Sequence, residues 1–168
     1  MLSCFLFGHR NAPEEIESAL QIAVERCIRL YDVRSFYVGR YGSFDSMAAR
    51  AVICAKKTYP DIMLSMLLPY HPAERPIQVP LDFDSAFYPP GMQSVPRRFA
   101  ILQANQYMLR KTDSVICYAN HIGNARSLYE LALKRKERDG IYVQNLAQMD
   151  VLPSDNRVCC GGVCGLRE

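Results

Sequence analysis

The chain lacks the glycine-rich signatures of the common phosphate sites. No lysine stands at the P-loop offset from a glycine run, and no G-x-G-x-x-G fingerprint follows a strand, so a standard ATP or NAD site is not supported. No motif calls for a cofactor. No apolar run approaches the length of a membrane span, so no membrane partner is expected. Met1 to Phe7 is apolar but short, and it leads into Gly8-His9-Arg10 rather than a small-residue cleavage site. That segment reads as a first strand, not a secretory signal, and the expected location is cytoplasmic, with the seven cysteines reduced. Charge of one sign is also scarce. A net charge of +3, with no basic stripe interleaved with aromatics, argues against a dedicated nucleic-acid surface. Zinc spacing is missing too. Cys159, Cys160 and Cys164 offer three thiols without a fourth ligand or a histidine pair, so no metal site is expected and residues 148–168 read as a thiol-bearing tail.

What is present is the patterning of one domain. At 168 residues and 49% hydrophobic content, the chain can bury a real core. Short apolar runs alternate with helical stripes. Strands are expected at 3–7, 35–38, 62–68, 114–118 and 141–146. The run at 62–68 is apolar along nearly its whole length, as a strand covered on both faces would be. Helices are expected from Pro13, over 44–57, over 97–111 behind Pro96, and over 125–136. Strands alternating with helices give a parallel sheet with helices on both faces, and such sheets bind ligands where strand order reverses. The expected order of these five strands is 3-2-1-4-5, with the crevice between strands one and four. Residues 69–96 break the rhythm with seven of the ten prolines, and read as a lid over the ligand edge or as a surface excursion packed by its own aromatics. The basic run Lys134-Arg135-Lys136 complements a helix dipole and is expected to face water.

Three strand-to-helix turns carry the chemistry. Gly8, His9 and Arg10 follow strand one, and Arg10 offers a planar fork for phosphate or carboxylate. Gly39, Gly42 and Ser43 follow strand two and read as backbone donors and a hydroxyl for phosphate or ribose. Asp45, in the first turn of the next helix, either accepts from a sugar hydroxyl or favours the helix start. His121, Gly123 and Asn124 follow strand four: Gly123 lets the backbone approach a ligand, and Asn124 is a candidate helix cap. Ser127 and Glu130 share one helix face, and Glu130 either points to the crevice or pairs with Lys134. Arg97 and Arg98 open a helix where cations oppose the dipole, which suggests an anion nearby, and Asn105 lies two turns on. Tyr70 stands at the end of strand three.

These residues together resemble the SLOG superfamily, which unites DNA-processing protein A, the Lonely Guy phosphoribohydrolases and the YpsA-like branch of unknown function. The YpsA-like branch is the nearest. The resemblance runs from about residue 3 to about residue 147. It rests on Phe7-Gly8-His9-Arg10, on Phe36-Tyr37-Val38-Gly39 with Gly42 and Phe44-Asp45, on Tyr88-Pro89-Pro90-Gly91, on Pro96 with Arg98-Phe99-Ala100-Ile101 and Asn105, and on Asp113 with Val115-Ile116-Cys117-Tyr118. It implies a Rossmann-like three-layer sandwich over 1–147 that binds a nucleotide or nucleotide-derived small molecule. By analogy it implies a homodimer. In the phosphoribohydrolase branch a catalytic glutamate follows a glycine-rich loop. Glu130 occupies that position and Ser127 replaces the branch's threonine, while Ile122, Asn124 and Arg126 depart from the loop's pattern. Two functions follow as expectations: a sensor or ligand-binding domain, or an N-glycosidase acting on nucleoside 5′-monophosphates with Glu130 as its catalytic carboxylate. Single-stranded DNA binding, as in the DNA-processing relative, is disfavoured by the modest charge.

Overall fold

The computed structural model describes residues 1–148, so Cys159, Cys160, Cys164 and nearly all of the expected tail lie outside the described residues. Six strands form one sheet: β1 (Leu2–Gly8), β2 (Val33–Val38), β3 (Met63–Leu67), β4 (Ser85–Phe87), β5 (Ser114–Tyr118) and β6 (Tyr142–Asn145). Their order is β4-β3-β2-β1-β5-β6, and every pairing is parallel. The architecture is the Rossmann-like three-layer sandwich. The expected order holds for the five strands read from the sequence. The sixth, β4, is a correction: it lies inside the proline-rich segment, at the edge beside β3.

Four helices cover the two faces: α1 (Glu17–Tyr31), α2 (Ser43–Lys56), α3 (Ala100–Lys111) and α4 (Asn124–Asp139). β1 shows why both faces need a cover. Successive side chains on a strand point to opposite sides. Cys4 and Leu6 pack with α1 and α2 residues such as Leu20, Val24, Phe44 and Met47. Phe5 and Phe7 pack with Ala104, Met108, Leu128 and Ala132 from α3 and α4. Burying each such large side chain contributes roughly 1.5–3 kcal/mol. Burial of the Cys4 and Cys117 thiols pushes both well above the ordinary thiol range, which suits packing rather than reactivity.

Polar latches fix the outer elements. The Arg50 guanidinium donates to both carboxylate oxygens of Glu17, at 2.9 and 3.2 Å, joining α2 to α1. Asp84 anchors the excursion before β4: its carboxylate accepts from Leu64 N–H at 2.7 Å and from the Lys56 ammonium at 2.6 Å. Partial burial works against its charge, but these two donors outweigh it and hold the carboxyl below its ordinary range.

Arg135 corrects the reading of the basic run. Its guanidinium reaches across to α3, donating to Leu109 O and Thr112 O, and it pairs with Asp139 at 3.1 Å. It thereby satisfies carbonyls that the C-terminal turn of α3 leaves without intrahelical partners. Its flanking lysines, Lys134 and Lys136, are exposed as expected.

Candidate functional site

Strand order reverses at β1, whose neighbours are β2 and β5. At its carboxyl end the chain turns through residues 8–12, and residues 39–43 turn beside it. The two turns are latched together. Ser43 N–H donates to Arg10 O at 2.8 Å, and the Ser43 hydroxyl lies within hydrogen-bond distance of Arg10 O and Ala12 O, at 3.0 and 2.9 Å. Ser43 was expected to meet a ligand; its hydroxyl and amide instead hold these loops to each other. The approach explains Gly42. A Cβ there would stand 2.6 Å from Arg10 Cα, a backbone atom that cannot swing aside. Gly42 itself is extended, so the demand is for space and not for left-handed backbone.

Asp45 sits at the centre of the second turn. Its Oδ2 accepts from Tyr41 N–H at 2.8 Å, and a Cβ on Gly39 would come within 2.7 Å of the same oxygen. Burial pushes the carboxyl up to about 6, against the pull of the Tyr41 amide and the nearby Arg10 charge.

On the other side of the turn, His9 is buried and stacks on His121, with ring centroids 3.6 Å apart. His121 N–H donates to His9 Nε2 at 3.4 Å, which leaves the His9 proton on Nδ1. Burial, then the His121 charge, lowers the pKa of His9, which favours the neutral imidazole. Gly123 backs this pair: it has φ 153°, and its Cβ direction faces the His9 ring at 3.7 Å.

These groups open on a cavity of about 300 Å³. Its polar lining is His9, Arg10, Asn11, Asp45, Asn105, His121 and Asn124, and its apolar lining includes Phe5, Phe7, Leu67, Ile101, Leu102 and Leu128. The volume is at the small end for a ligand site, and the mixture suits a flat apolar body bearing hydroxyls and charge. Asp45 is the one carboxylate lining it among the described residues.

Of the residues singled out from sequence, Gly8, His9, Arg10, Gly39, Gly42, Asp45, Asn105, His121 and Asn124 line this cavity. Ser43, Tyr70, Arg98, Gly123, Ser127 and Glu130 are not in its lining. Asn124 is the first residue of α4, and Gly123, not Asn124, holds the cap position, with no side-chain cap bond. Ser127 is exposed. Glu130 is exposed and pairs with Arg126 at 3.3 Å, rather than with Lys134. Two residues past Leu128 is more than half a turn, which carries Glu130 off the cavity-facing side of α4. Arg98 lies over the Phe99 ring at 4.7 Å, in a 3-10 turn ahead of α3 instead of at its start. Tyr70 lines a separate, neighbouring cleft. The proline-rich segment brings Pro69 to the rim.

Sequence reasoning missed Tyr41 and Asn11. The signal was positional: both fall inside the turns already flagged. Sequence reasoning also did not single out Leu102, which lines the cavity from α3 beside Ile101. No group of three or more metal-binding side chains occurs among the described residues, and no described helix is long and apolar enough to cross a membrane. No family model matches the chain, and no curated protein matches it either.

Proposed function

We propose that the protein binds a nucleotide or nucleotide-derived small molecule in the cavity at the carboxyl end of β1, as a sensor or ligand-binding domain of the SLOG type. The observation that carries this reading is the cavity of mixed polar and apolar lining at the point where strand order reverses. Its apolar residues offer a surface for a base. Asp45 and Asn105 offer acceptors and a donor for sugar hydroxyls. Arg10 offers the cation for a phosphate. The hydrolytic alternative loses support, because its glutamate is the surface-paired Glu130.

A panel of nucleoside mono-, di- and triphosphates read by thermal melting tests the proposal. A true ligand at about 100 times its dissociation constant adds roughly 2.7 kcal/mol of stability. The rise in melting temperature should shrink in Arg10→Gln and persist in Glu130→Ala. A panel in which no nucleotide shifts the wild-type midpoint sinks the reading.

A further inference from the structure

A second cleft lies beside the first cavity. Tyr70, Glu74, Arg75 and Arg97 line about 430 Å³ of it. The two spaces are adjacent along the chain, because Pro69 belongs to the rim of the first and Tyr70 to the wall of the second. Tyr41 joins them in space. It lines the first cavity, and its phenol is within electrostatic reach of Arg75 and Tyr70 of the cleft as well as of Asp45. Its hydroxyl is buried with no hydrogen-bond partner among the described residues. Buried hydroxyls are normally bonded, so an orphan between two cavities points to an acceptor supplied from outside the chain.

The cleft is electropositive, with two arginines against one glutamate. Arg75 is steadied over the Tyr70 ring at 5.3 Å. Arg97 touches Glu74 only at 3.6 Å, an exposed contact of small worth that a better anion would displace. Guanidinium groups held this way suit a phosphate, which they can grip through paired N–H donors.

Building on the nucleotide-binding reading above, we propose that this cleft is an anion subsite of the same site. Arg75 and Arg97 hold the distal phosphate of a nucleoside polyphosphate whose nucleoside lies in the first cavity, and Tyr41 donates its hydroxyl to the phosphate chain between them. The site therefore selects polyphosphates over monophosphates.

Isothermal titration of the full chain with AMP, ADP and ATP, and with the guanine, cytosine and uracil series, tests this. At least one base should show the di- or triphosphate binding tenfold or more tightly than its monophosphate. The double variant Arg75→Gln/Arg97→Gln should bring that preference to within about twofold while leaving monophosphate affinity unchanged, which also reports an intact fold. Tyr41→Phe should weaken binding of the polyphosphate at least threefold. Equal affinity for mono- and polyphosphates in the wild type, or a preference that survives the double variant, overturns the subsite alone. Absence of binding by every nucleotide overturns both the subsite and the function it rests on.

Discussion

Asp45 is a carboxylate kept where its charge is costly. Its ordinary value is 3.8, and the folded chain raises it to about 6. Between those values the folded state keeps a proton that the unfolded state has released. The contribution of Asp45 to stability is therefore most favourable below about pH 4, falls as pH rises toward 6, and stays lower above it. Asp45→Asn removes that cost while keeping an acceptor for Tyr41 N–H. We expect a gain on the order of 2 kcal/mol at pH 8, most of it gone at pH 4, in urea unfolding at the two pH values. The same variant should weaken nucleotide binding at least tenfold. Stability gained where function is lost is the mark of a residue retained for a ligand. Gly42 makes the opposite case. Gly42→Ala drives a methyl against Arg10 Cα and should cost about 1–3 kcal/mol, read by the urea midpoint.

Among the elements, Arg135 of α4 adds a polar tie to the end of α3 beside their apolar packing. Removing Arg135 strands carbonyls at the end of α3, so Arg135→Ala should cost about 1.5–3 kcal/mol, whereas Lys134→Ala and Lys136→Ala should stay within about 0.5 kcal/mol. Urea denaturation of the three variants checks this. β4 is held just as locally. Asp84→Ala should speed hydrogen exchange at residues 85–87 and at Leu64 before it changes exchange in β1.

These two elements also mark the limit of what the sequence discloses. The four helices and five of the strands were legible because apolar stripes such as Leu20, Val24 and Cys27, or runs such as Val115-Ile116-Cys117, repeat at the period of their element. β4 was not legible. Ser85-Ala86-Phe87 is too short to show a period, and it sits among prolines. Arg135 was misread because its role depends on a carbonyl 26 residues away, which no local pattern encodes. At the site, turns flagged by glycine gave the position of His9, Arg10 and Asp45. What the sequence could not give was side-chain direction. Ser43 turned inward to staple two loops, and Glu130 turned off the cavity.

Across the whole molecule, the cavity straddles two separate cores. The turns after β1 and β2 lead into the α1–α2 side, while Ile101, Leu102, Ala125 and Leu128 belong to the α3–α4 side. A ligand bound there bridges both. We expect a saturating nucleotide to slow hydrogen exchange in residues 39–45 and in the first turn of α3 together; protection confined to one side would contradict the bridging geometry.

The all-parallel pairing has a consequence for the nascent chain. Ser3 and Asp113, whose contact closes one end of the β1–β5 seam, lie 110 residues apart. No hairpin shortcut joins any pair of neighbouring strands, so each must wait for a crossover to be synthesised. β1 is translated before the other five strands, yet one flank of it stays without a mate until the segment through Tyr118 has been translated. During that interval Phe5 and Phe7 lack their α3–α4 cover, and this early, uncovered strand is where a chaperone would be needed most.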